Sequence, residues 1–140
     1  MATTTAAVLP PNGVMPLRNE PDIVMSRQAV RKLTQQLGLS LVDQTKMITA
    51  ASELSRNAVV YGGGGEMRWE FVTLNLRNGL RLHFEDQGPG IPDLDLALTD
   101  GWTSGKGLGV GLSGSRRLVN EFEIRTAPGE GTCVSITRWK

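Results

Sequence analysis

The sequence predicts a two-layer α+β sandwich in which helices cover one face of a mixed, mostly antiparallel sheet, and three observations carry that reading. The apolar spacing gives the order helix, helix, hairpin, loop and helix, hairpin, with no regular strand–helix alternation. A helix start at Ser40-Leu41-Val42-Asp43 and a stop at the Gly62 to Gly65 run bracket one long helix. Leu80, Leu82 and Phe84 alternate with Arg81, His83 and Glu85, so the strand that holds them has one apolar and one polar face.

The 140 residues fit one domain with enough buried surface for a core, and a formal charge of +1 offers no general attraction to nucleic acid or to a membrane. The single cysteine, Cys133, excludes an internal disulfide framework, and one histidine with one cysteine cannot build a zinc site alone. Neither a signal-peptide pattern nor an apolar run long enough to cross a bilayer is visible, so a soluble, cytoplasmic protein is expected.

Residues 1–13 are Thr/Ala-rich and then Pro-Pro-Asn-Gly, with neither period, which predicts a flexible tail followed by a single domain over 14–140. Val14 to Arg18 reads as a short edge strand. Asn19 and Asp22 flank Pro21 as helix-start signals, and Ile23, Val30, Leu33 and Leu37 repeat at helical spacing until Gly38 closes the segment. In the second helix, Leu41, Met47, Ile48, Ala51, Leu54, Ala58 and Tyr61 form an apolar arc, with Glu53 and Asn57 one turn apart at its edge. Asparagine is a poor mid-helix residue, so its place there needs a reason beyond propensity.

Two strands follow, Glu66 to Arg77 and Leu80 to Asp86, with Asn78-Gly79 predicted as the hairpin turn. By the alternation of the second strand, Asp86 belongs with the apolar set and faces inward. An ionised carboxylate there is costly unless hydrogen bonds reach it, and two roles compete: a strand-end turn, or an acceptor for a ligand's amino group. His83 falls on the polar face and is given no catalytic role. Ile91 to Leu98 can hold a short helix, residues 99–107 read as a lid anchored by Trp102, and Val110 to Asn120 carries a helical pattern. The chain ends in strands near Glu121 to Thr126 and Thr132 to Arg138, and Thr132 shares a face with Val134 and Ile136.

Residues 86–112 contain seven of the seventeen glycines in two clusters. Such loops let backbone N–H groups lie against an anion, and the second cluster opens onto a helix whose N-terminus favours phosphate. A P-loop is excluded because Asp100 and Gly107 stand where it needs a glycine and a Ser or Thr. Gly109, Gly111 and Gly114 have the dinucleotide-binding spacing but follow a loop, so the required strand is absent.

Taken in order over residues 14–139, Glu53-xxx-Asn57, Asp86-x-Gly88-x-Gly90, Gly105-x-Gly107-x-Gly109 and Gly131-Thr132 resemble the Bergerat-fold ATPases and kinases, a group that includes DNA gyrase, Hsp90-type chaperones and histidine kinases. The strings Ser52 to Asn57, Glu85 to Pro92 and Thr103-Ser104-Gly105 are similar to the small serine/threonine kinases of bacterial anti-sigma and stressosome signalling. The chain departs from the typical anti-sigma pattern at Arg56, where a small uncharged residue is usual, at Gln87, at Trp102 and in the Gly62 to Gly65 run.

The resemblance implies ATP and Mg²⁺ as ligands. Asp86 would accept the adenine amino group, with Thr132 nearby, and Asn57 would help hold Mg²⁺. Gly88, Gly90, Gly105, Lys106, Gly107, Leu108, Gly109, Val110 and Gly111 would wrap the nucleotide, and Glu53 would be the general base acting on a substrate serine or threonine. It also implies a STAS-domain antagonist or scaffold as substrate and a serine phosphatase as the protein activated afterwards, with a homodimer left open. Two rivals remain: an anti-sigma factor that sequesters a sigma subunit, and a non-catalytic domain that binds partners when nucleotide is present. Glu53 disfavours the last, since mere nucleotide binding has no use for a base.

Overall fold

The computed structural model describes residues 8–99 and 111–140; Trp102 and the predicted nucleotide-wrapping residues Gly105, Lys106, Gly107, Leu108, Gly109 and Val110 lie outside the described residues. In chain order the elements are β1 (Asn12–Leu17), α1 (Glu20–Leu37), α2 (Leu41–Val60), β2 (Gly65–Leu74), β3 (Arg77–Asp86), α3 (Leu94–Ala97), α4 (Gly111–Arg117), β4 (Glu121–Thr126) and β5 (Thr132–Trp139). Among the described residues five strands form one sheet in the order β1-β2-β3-β5-β4, and their four pairings are antiparallel.

Each helix terminus has a local cause. Asn19 caps α1 by accepting a hydrogen bond from the Asp22 N–H, with Pro21 in the first turn, where a missing N–H costs nothing. The same helix stops where Gly38 enters the left-handed region (φ 87°), and the N–H groups of Gly38 and Leu39 both return to the Thr34 carbonyl. Ser40 caps α2 through the Asp43 N–H at 3.1 Å. The two helices meet over a buried contact between the Ser26 and Ser55 hydroxyls, 2.9 Å apart, in which each small polar side chain satisfies the other.

One face of the sheet carries Leu80, Leu82, Phe84, Val134 and Ile136 into a core shared with Val30, Leu33, Met47, Ala51 and Leu54 of the helices. Its other face is polar and laced across strands: His83 bridges Ser135 (2.7 Å) and Glu70 (2.8 Å), while Arg81 reaches Thr137 and Glu121. His83 thus sits on the polar face with partners on both ring nitrogens.

Three expectations are corrected. The β2–β3 turn lies at Asn75-Leu76, not at Asn78-Gly79: Leu74 pairs with Arg77, and both turn residues have positive φ (52° and 67°). This register sets Met67, Trp69 and Phe71 across from Phe84, Leu82 and Leu80, whereas a turn at Asn78-Gly79 would oppose Thr73 and Asn75 to Phe84 and Leu82. Apolar pairing outweighs turn preference, and Gly79 instead lets the Trp139 ring lie against the strand. Leu41, assigned to the apolar arc of α2, is 74% exposed because it precedes the first turn that reaches the core. The predicted tail is also pinned in its second half: Gln36 holds the Leu9 backbone through both its amide atoms, Pro10 accepts from the Trp69 indole, and β1 begins at Asn12.

Candidate nucleotide site

Asp86 ends β3 and pairs with Gly65 on one side and Thr132 on the other. Its Oδ1 accepts the Gly88 N–H at 2.9 Å, so the residue is both the end of a strand and the cap of the turn that follows. Burial raises its pKa above the ordinary aspartate value, and backbone N–H groups of Gly88 and Thr132 work in the opposite direction. The carboxylate is therefore short of solvent and gains from a further donor.

That donor's place is a cleft of about 280 Å³ between α2 and the sheet end. Its walls are mainly apolar, from Leu54 and Ala58 on α2, Phe84 and Val134 on the sheet, and Ile91, Ala97 and Leu112 from the following loop and helices. Asp86 and Thr132 lie at the sheet end of the lining, and Glu53 and Asn57 come from α2 one turn apart. An apolar slot with one desolvated acceptor fits a flat heterocycle that carries an amino group.

Two glycines fix the geometry. A Cβ on Gly62 would stand 2.3 Å from the Asp86 Cγ, so only glycine lets the end of α2 close onto that carboxyl group. At Gly90 a left-handed φ of 77° and a Cβ that would meet the Ala127 carbonyl oxygen at 2.1 Å make the same demand. Thr126 ties the floor together: its hydroxyl accepts the Ile91 N–H (2.9 Å), donates to the Gly131 carbonyl (3.1 Å), and lies 2.9 Å from the Thr132 hydroxyl.

Of the predicted site residues, Glu53, Asn57, Asp86, Gly90, Gly111 and Thr132 line this cleft together. Gly88 does not line it; it stands behind, donating to Asp86 and packed against Gly62. Sequence reasoning missed Gly62 as a neighbour of Asp86, although the glycine run was noticed as a helix stop. It also missed Thr126, whose signal is only a strand-end threonine six residues before Thr132. For Mg²⁺ the fit is to a metal that arrives on phosphate: among the described residues no three His, Cys, Asp or Glu side chains converge, while Asn57 and Glu53 both line the cleft.

Comparison with known proteins agrees with this geometry. The profile of the family described as "Histidine kinase-, DNA gyrase B-, and HSP90-like ATPase" matches residues 42–140. The chain is 42% identical to the serine/threonine-protein kinase RsbT of Bacillus subtilis (strain 168) over 123 residues, covering 88% of this chain and 92% of that protein. It is 29% identical to the anti-sigma F factor of Pasteuria penetrans over 81% of this chain and 79% of that one. Among solved structures, the RsbU and RsbW domains of a Mycobacterium tuberculosis protein superpose with a TM-score of 0.63 at 19% identity, over 94% of this chain and 33% of that one. The mycobacterial sensor histidine kinase MprB gives 0.54 at 16% identity, over 91% and 97%. These two likenesses concern the fold alone. An apolar cleft with a desolvated aspartate at its floor, a Glu and an Asn one turn apart on its helical wall, and a profile match spanning both place the chain in the histidine kinase-, DNA gyrase B- and HSP90-like ATPase family.

Proposed function

We propose that this chain is an ATP-dependent serine/threonine protein kinase of a partner-switching pathway, which phosphorylates a hydroxyl on a STAS-domain antagonist and, once freed, activates a serine phosphatase in the cytoplasm. The observation that carries the reading is the shared cleft: Glu53, on the same helical wall as Asn57, opens onto the space above Asp86. No helix among the described residues is long and apolar enough to cross a membrane.

Mg-ATP, when bound, supplies the γ-phosphoryl group and the metal charge that neutralises it. Asp86 accepts an amino hydrogen of the base, and the apolar walls exclude water from its ring. Asn57 would help hold the metal. Glu53 accepts the proton of the serine or threonine hydroxyl as that oxygen forms its bond to phosphorus and the bond to the ADP oxygen breaks, so one proton moves to the carboxylate and ADP leaves. A residue that acts only on the acceptor hydroxyl contributes to transfer and not to nucleotide affinity.

Similarity to anti-sigma F factors supports a second reading, sequestration of a sigma subunit together with phosphorylation of its antagonist. One experiment separates the two. The chain is mixed with labelled ATP and the co-encoded STAS protein, phosphatase and sigma subunit, each in turn and together. Phosphate on the STAS protein with phosphatase binding is expected; tight binding of the sigma subunit in place of the phosphatase would favour the second reading, and no transfer to any protein would remove both.

A further inference from the structure

Asp86, Thr132 and Thr126 form a row across three adjacent strands, because Thr132 pairs with Asp86 of β3 on one side and with Thr126 of β4 on the other. Directly paired residues project to the same face of a sheet, with side chains near enough to touch. Asp86 and Thr132 both line the cleft, while Thr126 stands one strand further out.

The hydrogens available fix the direction of the bonds along this row. A threonine hydroxyl has one hydrogen to give and two lone pairs to receive with. The Thr126 hydroxyl oxygen stands 2.9 Å from the Ile91 nitrogen, 3.1 Å from the Gly131 carbonyl oxygen and 2.9 Å from the Thr132 hydroxyl. An N–H can only donate and a carbonyl can only accept, so a single assignment makes all three contacts hydrogen bonds. Thr126 gives its hydrogen to Gly131 and receives those of Ile91 and Thr132. The Thr132 hydrogen is thereby spent, and only lone pairs are left for the cleft, with no donor to them among the described residues. Asp86 beside it is an acceptor too, its carboxyl already receiving the backbone N–H groups of Gly88 and Thr132. Two neighbouring acceptors match the two hydrogens of an exocyclic amino group and oppose a carbonyl oxygen in the same place.

We infer that Thr126 is a positioning residue for base recognition: by holding the Thr132 hydroxyl as an acceptor, it makes the cleft select a 6-aminopurine over a 6-oxopurine. The inference rests on the nucleotide-binding part of the reading above. With Thr126 in place, a 6-oxo group leaves both acceptors unpaired and is rejected. Without the Thr126 hydroxyl, Thr132 is free to turn and donate, and the oxo group gains a partner.

The test titrates Mg-ATP and Mg-ITP, which differ only at the purine 6-position and its neighbouring N1 proton, into the full chain by calorimetry. The parent is expected to prefer ATP. Thr126→Val keeps the side-chain shape and removes the hydroxyl, and the ATP-to-ITP affinity ratio is expected to fall about tenfold, the worth of one hydrogen bond, chiefly through tighter ITP. Thr126→Ser keeps the hydroxyl and retains the parental ratio. In a Thr132→Val background, Thr126→Val leaves the ratio where it was, because no hydroxyl remains to turn; a role in folding alone would lower both affinities together in either background. Thr132→Val by itself leaves the Ile91 N–H its partner and is expected to weaken ATP several-fold and not ITP, so it carries the test if Thr126→Val does not fold. A ratio unmoved by Thr126→Val in a folded protein, or ATP and ITP weakened alike by Thr132→Val, overturns the inference. A parent that binds the two nucleotides equally overturns it too and leaves the kinase reading intact. A parent that prefers ATP through Thr126 but transfers no phosphate supports the inference and defeats the kinase reading, and one that binds neither nucleotide removes both.

Discussion

Gly62 and Asp86 are in contact through the absence of a side chain: a methyl group on Gly62 would sit 2.3 Å from the Asp86 Cγ. The end of α2 is thereby seated on the carboxyl group that forms the floor of the cleft. Gly62→Ala is expected to displace that carboxyl, costing about 1–3 kcal/mol of stability as an overpacking change and weakening ATP binding with it. Urea unfolding and nucleotide titration on the same sample check this. Full affinity in the alanine variant would mean that the position of Asp86 does not govern binding.

Asp86→Asn separates binding from folding. The amide can still accept the Gly88 N–H, and burial disfavours the ionised form it replaces, so the variant should melt no lower than the parent. It should lose ATP, because a partial donor now faces the base amino group. The pH dependence has a defined sign. Because the folded-state pKa of Asp86 is raised, the unligated fold is penalised most above that value and is relieved as pH falls through it toward the ordinary aspartate value. Nucleotide affinity runs the other way and weakens over that same acid window, as the acceptor becomes protonated. Calorimetric titration of the parent across that window should show ATP affinity falling, while melting of the unligated proteins should show the acid relief in the parent and not in the Asn variant.

How much of this was legible beforehand follows the range of the interaction. Helix ends written in local chemistry, such as Asn19, Gly38 and Ser40, read correctly, because capping needs only residues three or four apart. The inward face of Asp86 followed from the alternation of Leu80, Leu82 and Phe84. The hairpin turn did not, because Asn78-Gly79 is the better local signal and only the apolar match between Met67, Trp69, Phe71 and the facing strand overrides it. Gly62 against Asp86 was invisible for the same reason, a contact between segments whose approach no spacing encodes, whereas Thr126 beside Thr132 follows from the pairing of the two predicted last strands and was overlooked.

Arg138 ties the helical layer to the far end of the sheet. Its Nη2 lies 2.6 Å from Asp43 on α2 and its Nη1 donates to the Leu118 carbonyl just past α4, while its buried Nε has no partner among the described residues. Arg138→Ala removes both ties and leaves the Asp43 carboxylate without its cation, at an expected cost of about 2–3 kcal/mol, with nucleotide affinity retained because the cleft lies elsewhere. Denaturant midpoints measure the first part and ATP titration the second. A loss below about 0.5 kcal/mol, the size of an ordinary surface change, would show that the ties contribute nothing.

Glu53 distinguishes a cleft that transfers phosphate from one that merely holds nucleotide. Glu53 shares the α2 wall with Asn57 and is the carboxylate there that can take a proton from an acceptor hydroxyl. The measurement is single-turnover phosphate transfer to the STAS antagonist by the parent and by Glu53→Gln, with ATP affinity determined on the same samples. Unchanged affinity and a transfer rate lower by about 10²–10⁴-fold, the usual contribution of a positioned base, are expected. Transfer by the Gln variant at the parental rate, or no transfer by the parent to any partner, would contradict it.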